Sequence, residues 1–279
     1  MQSRIKNLAG LLMILGSLGI TGAAHAIVAT DNYFVRPFLQ LGGGGLIDGL
    51  AVNGPTYAAQ NFTSALQSRV DLGDGTVKAL ARISGTDQFA QAGGSFGDRV
   101  TFDDAAGTTV DFSFAFDGTL KSSGPAINTG LAGFLSANFY VYDPSTGATW
   151  DNFNSSSLSG SALIAKSIFT VFNANIGETL DEVINDMLSG SLVIGAQDTF
   201  DVFASLSIGL TTNQNPVTLT GDFLHTGTFD IGTEQGVSFT STSGVFLTGP
   251  TAPAPAPATV VLLALGLTTL GYLRRKKAA

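Results

Sequence analysis

The sequence predicts an all-β protein: an antiparallel β-sandwich ectodomain with one short helix, followed by a C-terminal transmembrane helix. Three observations predict it. Apolar and polar residues alternate over long stretches, turn-forming residues separate many short apolar runs, and an apolar run near the C-terminus ends in four basic residues. The chain accordingly divides into a signal peptide at 1–26, an ectodomain at 27–249, a Pro/Ala linker at 250–257, and a transmembrane helix with a basic tail at 258–279.

The clearest predicted strand lies at 200–210. Six apolar residues occupy every second position there and would share one face: Phe200, Val202, Ala204, Leu206, Ile208 and Leu210. The alternate positions are mostly small or polar, as in a half-buried antiparallel strand: Asp201, Phe203, Ser205, Ser207 and Gly209. Phe112, Phe114 and Phe116 alternate in the same way, and Asp117-Gly118 after them predicts a turn.

Shorter strands are predicted at 99–102, 138–142, 167–172, 191–194, 217–220, 228–231, 237–240 and 244–247. Turn dipeptides such as Asp143-Pro144 and Asn215-Pro216 separate many of them. Many short strands with turn chemistry between them favour a sandwich.

One segment, 180–190, has apolar residues at helical spacing: Leu180, Val183, Ile184, Met187 and Leu188. Glu178, Asp181 and Glu182 lie near the positive end of the implied helix dipole, and Gly190 is a candidate C-cap. These features predict the one short helix, lying across the sheet. A weaker helical pattern covers 56–69.

Charge and cysteine content limit the partners. The ectodomain holds all 21 acidic residues and seven of the 13 Lys and Arg residues, for a net charge of −14 with histidine neutral. We therefore expect no nucleic acid partner, and direct binding of an acidic polysaccharide is disfavoured without bridging divalent cations. The chain has no cysteine, which excludes disulfides, thiolate nucleophiles and zinc-thiolate sites.

Catalytic constellations are scarce. His25 lies in the signal peptide, so His225 is the only histidine of the mature chain, and His-dependent triads or multi-His metal sites are disfavoured. We expect no enzyme and no cofactor. Two carboxylates suffice for a glycosidase, which keeps a secreted glycan-active hydrolase as the third interpretation. Calcium is an alternative ligand, because Asp71, Asp74, Asp103 and Asp104 lie near predicted turns, although turn formation explains the same acids.

An aromatic strip is the candidate binding site. Tyr140 and Tyr142 would share one strand face, the chain would turn at Asp143-Pro144, and Trp150, the only tryptophan, would return beside them. Such a strip could stack on sugar rings. Aromatic cross-strand pairing on a sheet face explains the same three residues without a ligand.

The N-terminus predicts export. Arg4 and Lys6 precede an apolar run at 8–20, and Ala24 and Ala26 supply the small residues at positions minus three and minus one of a signal-peptidase site. We place the mature start at Ile27. This interpretation makes the Sec translocon and signal peptidase partners of the chain, with an uncleaved N-terminal anchor as the alternative.

The C-terminus predicts a short membrane span. A Pro/Ala segment leads into 16 mostly apolar residues at 258–273, which as a helix reach about 24 Å against a hydrocarbon core of about 30 Å. Four cations follow at once as a stop-transfer signal: Arg274, Arg275, Lys276 and Lys277. Because positive segments resist translocation, the C-terminus would stay cytoplasmic and the ectodomain outside.

The tail resembles the PEP-CTERM sorting signals of bacterial exosortase systems. The matching residues are Pro255, Ala256, Pro257 and Ala258, then the apolar run from Val260 to Leu273, then Arg274 and Arg275; Ala256 stands where the family usually carries Glu. Segments 70–76 and 236–244 also look similar to ectodomains found with such tails.

The resemblance implies processing by an exosortase-like membrane protease and transient anchoring in the inner membrane. The destination would be the cell surface or extracellular matrix of a Gram-negative biofilm former. The expected role is structural or associated with exopolysaccharide, and the alternative is a glycan-binding adhesin module.

Overall fold

The computed structural model describes residues 33–42, 44–62, 65–84, 89–103, 105–126, 131–212, 217–234 and 237–248. The segments predicted as signal peptide, linker, transmembrane helix and basic tail lie outside this part of the chain, as do Asp104, Asn215-Pro216 and the side chain of His225. Within the described ranges, no helix is both long enough and apolar enough to cross a bilayer.

Fourteen strands are present in the described residues. They are β1 (Tyr33–Leu41), β2 (Ile47–Asp48), β3 (Ala51–Val52), β4 (Tyr57–Phe62), β5 (Leu66–Asp71), β6 (Thr76–Ser84), β7 (Phe89–Asp103), β8 (Thr109–Ser122), β9 (Leu131–Tyr142), β10 (Ile164–Ala174), β11 (Asp181–Val193), β12 (Thr199–Thr211), β13 (Thr218–Gly232) and β14 (Ser238–Ser241). A 3₁₀ turn (Pro144–Thr146) and one four-residue helix (Ser156–Ser159) lie between β9 and β10. The predicted all-β class is confirmed.

The strands form two antiparallel sheets. The larger runs in the order β10-β9-β12-β7-β1-β2, with β14 also paired to β7 and β3 to β1; the smaller runs β11-β8-β13-β6-β5-β4. Phenylalanines fill the space between them. The Phe229 ring of β13 lies 6.1 Å from that of Phe96 and 5.7 Å from that of Phe139, both on the larger sheet. This core stabilises the fold through burial of apolar surface.

The alternating segments behave as predicted. All six apolar residues from Phe200 to Leu210 are buried, as are Phe112, Phe114 and Phe116. The predicted turn at Asp117-Gly118 is wrong, because both residues lie inside β8. The glycine is needed for close approach: β13 changes register here, and a Cβ on Gly118 would lie 2.5 Å from the Asp222 carbonyl oxygen.

The helix predicted at 180–190 is also wrong, because this segment forms β11 and pairs with β8 along its whole length. Ile184, Leu188 and Leu192 pack against the core. A spacing of four residues keeps side chains on one face in a strand as well as in a helix, so the pattern was ambiguous. The weaker helical pattern at 56–69 likewise forms a hairpin of β4 and β5.

Most short predicted strands are parts of longer ones. The segments 217–220 and 228–231 belong largely to the single strand β13. The prediction at 244–247 is wrong, since the chain turns there, with Gly244 at φ +73° and the Thr248 N–H donating to the Val245 carbonyl at 3.0 Å. This turn contacts the segment 70–76, because the Leu247 N–H donates to the Leu72 carbonyl at 3.1 Å.

Candidate functional site

A row of polar side chains crosses the outer face of the larger sheet. Strand register places Arg36 of β1 opposite Ser95 of β7, Ser95 opposite Ser205 of β12, and Ser205 opposite Asn138 of β9. Directly opposed residues share a face, so these four side chains form a line across four strands. In a parallel row, Ser207 of β12 lies opposite Ser136 of β9.

These residues form the floor of a depression of about 180 Å³, which we call the outer depression. Gln91 completes the floor, and apolar side chains form much of the wall: Trp150, Phe153, Phe38 and Leu46. Hydrogen bonds order the floor, because Asn138 Nδ2 donates to Ser205 Oγ at 3.2 Å and to Ser136 Oγ at 3.3 Å. Apart from Arg36, the floor is therefore a set of neutral hydroxyl and amide groups beside apolar surface.

Gln91 has an unused acceptor in this floor. Its side chain is 5% exposed, and its Nε2 makes only a long contact of 3.4 Å to Ser207 Oγ. Its Oε1 is buried and has no hydrogen-bond partner among the described residues. A buried acceptor without a donor costs about 1–3 kcal/mol. The oxygen itself has almost no accessible surface, so a ligand hydroxyl would satisfy it only after the Gln91 side chain turned toward the depression.

Arg36 supports the wall on one side. Its Nε lies 2.9 Å from Asp48 Oδ2 and its Nη2 lies 2.6 Å from the same oxygen, so the carboxylate engages both nitrogens. The guanidinium carbon lies 5.2 Å from the Trp150 ring centroid, within cation–π range. The ion pair fixes the guanidinium, and the guanidinium fixes the indole.

The structure buries most of the predicted aromatic strip. Tyr140 is 7% exposed and Tyr142 is 0% exposed, whereas Trp150 is half-buried at the rim of the outer depression. The segment 143–163 folds over the tyrosines and places Phe153 on them and on Phe203. Neither tyrosine therefore offers an open ring face to a sugar, and of the three predicted residues only Trp150 is partly exposed.

The tyrosines instead hold this covering segment in place. The Tyr142 hydroxyl donates to the Phe153 carbonyl, and the Tyr140 and Tyr142 rings stack with centroids 5.9 Å apart. Burial, followed by the neighbouring Tyr140, raises the pKa of Tyr142 to about 12. Tyr142 therefore stays protonated and donates at any ordinary pH, so the wall carrying Trp150 and Phe153 is fixed before a ligand arrives.

Two of the acids weighed as calcium ligands make other contacts, Asp71 as described next and Asp103 by accepting from the Ser238 hydroxyl at 3.3 Å. Asp71 Oδ1 accepts from the Gly73 N–H at 3.0 Å, which closes the turn between β5 and β6, and Asp71 Oδ2 pairs with Arg69 at 3.2 Å. Among the described residues, no three His, Cys, Asp or Glu side chains come close enough to hold a metal ion.

Sequence reasoning missed Arg36, Gln91, Ser95, Ser136 and Asn138 as site residues. Alternating small polar residues in β7, β9 and β12 were a visible signal of an outward, wettable face. The order of the strands in the sheet, which brings these residues together, is set by pairing between distant segments, such as Gln91 and Ser207, which are 116 residues apart.

Comparisons with known proteins give no family. No family model matches the chain, and no curated protein matches it. Among solved structures, it is similar to the enzymatically active domain of bacteriophage CBA120 tailspike protein 4, at 10% identity and a TM-score of 0.21 over 64% of this chain and 19% of that one. A structure of infectious bursal disease virus, Gt strain, gives 12% identity and a TM-score of 0.12 over 87% and 69%. At these TM-scores neither likeness carries an argument.

Proposed function

We propose that this chain is an exported, non-enzymatic surface protein whose outer depression binds neutral glycan. The observation that carries the proposal is the unpartnered, buried Oε1 of Gln91 on a polar floor whose rim holds the half-buried Trp150. Sugars present hydroxyl donors around the ring edge and C–H groups on the ring face. A floor of amides and hydroxyls beside one aromatic ring is complementary to both.

The charge of the site supports a neutral ligand. Arg36 is the one charged residue among the described residues that line the depression, and Asp48 already engages it. The net charge of −14 on the ectodomain would repel an acidic polysaccharide. A neutral hexose polymer needs no free cation in the site and is not repelled by the negative charge of the ectodomain.

The same lining supports binding without catalysis. Glycoside hydrolysis requires two carboxyl groups facing each other at roughly 5–10 Å. The described residues that line the outer depression include no Asp or Glu. Its serines lie beside amides and other serines, with no base among these described lining residues to activate them.

The two chain ends support delivery to the surface. The Ala24 and Ala26 site suits Sec export and signal peptidase, and the Pro255-to-Ala258 motif with the basic stop suits an exosortase-like membrane protease. The protein would be anchored briefly in the inner membrane and then reach the cell surface or extracellular matrix. A glycan-binding site there would associate it with exopolysaccharide.

Binding to an array of neutral oligosaccharides tests the proposal. Gln91→Met keeps the side-chain volume but removes the acceptor, and we expect affinity for any neutral glycan found to fall roughly 2- to 10-fold, as for one lost hydrogen bond. Gln67→Met on β5 is the matched control, because Gln67 lies on the smaller sheet away from the depression. An array with no neutral ligand, or equal affinities for both variants, would refute the assignment.

A further inference from the structure

The smaller sheet ends in a long open edge. Strand β11 spans 13 residues and pairs with β8 on one side, and no described strand pairs with its other side. An unpaired edge presents a row of backbone N–H and C=O groups that can template another strand. The strand at the opposite end of this sheet, β4, has only six residues.

The sequence of β11 lacks much of the usual protection of an edge. It contains no proline and no lysine, and three of its apolar side chains are well exposed: Val183 at 76%, Met187 at 57% and Val193 at 64%. Natural edge strands normally avoid this combination because it promotes pairing with other chains. The exposed residues therefore indicate a strand partner.

The strand is complementary to itself. When a second β11 runs antiparallel to it about a two-fold axis through Leu188, apolar residues oppose apolar residues on both faces: Val183 opposes Val193, Ile184 opposes Leu192, and Leu188 opposes Leu188. Two polar residues also match, since Asn185 lies opposite Ser191. Among the apolar residues within β11, Met187 alone meets a polar one, Ser189. Directly opposed side chains are the unit of sheet stabilisation, so the matched pairs favour the contact.

The acidic residues select this register. Asp186 falls opposite Gly190, and Glu182 and Asp181 fall level with Ile194 and Gly195, just beyond the end of β11, so no carboxylate meets another. The side chains of the two strands stay on matching faces only when one strand slides along the other by two residues at a time. The nearest such slides move the two-fold axis from Leu188 to Met187 or Ser189. Either move places Asp186 opposite a leucine, Leu188 or Leu192. The axis through Leu188 is therefore the favoured one.

We infer that two copies of this chain dimerise through β11, joining their smaller sheets into one continuous antiparallel sheet. Each copy brings a strongly acidic ectodomain, so long-range repulsion opposes the contact and salt screens it. Dimerisation should accordingly strengthen as salt is raised. Neither the register nor the exposed residues depend on the outer depression, so the dimer is independent of glycan binding.

Light scattering and sedimentation of the purified protein in about 50 mM and about 500 mM NaCl, which differ severalfold in Debye length, test the dimer. The double variant V183D/V193D places carboxylates opposite each other at both ends, and because both side chains are exposed in one copy, the fold should survive. We expect its dimer dissociation constant to rise at least tenfold. V183K/V193D, which places a lysine opposite an aspartate at each end, should retain the dimer, and Leu163→Asp, an exposed apolar position outside β11, should leave it unchanged.

A single cysteine locates the axis, because the chain has none of its own. In Leu188→Cys, the two residues at the axis would have Cα atoms about 4.5–5.5 Å apart, within the disulfide range. Oxidation should yield a covalent dimer rapidly, and Leu163→Cys should not. A protein that stays monomeric at high salt, or a dimer that V183D/V193D leaves intact, would overturn the inference and leave the edge to a strand of another protein. Failure of V183K/V193D to dimerise would overturn the register.

Discussion

The Ser243 hydroxyl donates a hydrogen bond to Asp98 Oδ2, and the Ser243 N–H lies 3.3 Å from Oδ1 of the same carboxylate. Asp98 lies on β7, a middle strand of the larger sheet, and is 2% exposed. The contact ties the last described segment of the chain to the core. Burial is the largest influence on this carboxyl and raises its pKa from 3.8 to about 6, against the lowering effect of the hydrogen bonds from Ser243.

Asp98→Asn should change how stability depends on pH. The folded protein binds the Asp98 proton up to about pH 6, whereas the unfolded chain releases it near 3.8. The contribution of this group to the free energy of unfolding is therefore full below about pH 4 and is lost as pH rises through 6, which amounts to roughly 3 kcal/mol. The asparagine variant cannot titrate, so wild type should lose stability relative to it between about pH 4 and 7. Urea unfolding at each pH measures the difference, and parallel pH profiles would contradict it.

Gly75→Ala should destabilise the turn between β5 and β6. Gly75 has φ +61°, and an added Cβ would lie 2.4 Å from Leu247 Cδ2 and 2.9 Å from the Phe229 carbonyl oxygen. Backbone strain and overpacking together should cost about 2–4 kcal/mol. The control is Gly107→Ala, at φ +85° with nothing within 4 Å of the new Cβ, which should cost only the backbone share of about 1–2 kcal/mol. Equal urea midpoints for the two variants would show that Leu247 does not constrain the turn.

Asp48→Ala should leave the Arg36 guanidinium buried without its carboxylate. The Arg36 side chain is 6% exposed and that of Asp48 is 31% exposed, so we expect a loss of about 2–3 kcal/mol in the free energy of unfolding. Asp181→Ala removes the partner of Lys121 from a pair that is more than half exposed on both sides, and should cost below about 1 kcal/mol. Thermal unfolding separates the two, and similar losses would mean that the Arg36 pair is solvated.

Trp150→Ala should weaken glycan binding by about 1–3 kcal/mol, as for other aromatic stacking platforms. The variant also removes the Arg36 stack, so it needs a control that loses the same kind of contact elsewhere. Tyr57→Ala removes the ring over which Arg69 lies at 4.8 Å, outside the depression. Titration of both variants with the glycan identified on the array is the measurement. A large loss of stability with unchanged affinity would make Trp150 a packing residue.

The tail should be cleaved close to the sequence Pro255-Ala256-Pro257-Ala258. Proline keeps the segment extended, since it lacks the N–H that a helix needs, and a protease requires extended backbone. Intact-mass measurement of the protein from its host should give a species that begins near Ile27 and lacks Arg274 to Lys277. Replacing Pro255 and Pro257 with alanine should trap the chain in the inner membrane. A mature species that still ends at Ala279 would make the tail a simple anchor.

The period-two patterns determined the all-β class without help from the tertiary structure. In β12 and β8 apolar residues occupy every second position over most of the strand, and the face that they form is buried, as that alternation predicts. At β11 the sequence was insufficient. Ile184 and Leu188 are four residues apart, which suits a helix and a strand equally, and only pairing with β8 selects the strand.

Local sequence also identified Trp150 as a candidate, because a lone tryptophan after a turn is visible in the chain itself. Only the tertiary structure decided that the tyrosines beside it are buried and that Arg36, Gln91 and Asn138 lie near it. Strand order and register bring these residues together, and both are set by pairing between distant segments. A residue's own neighbours in the chain determine which face it occupies, whereas what covers that face depends on contacts that no local pattern encodes.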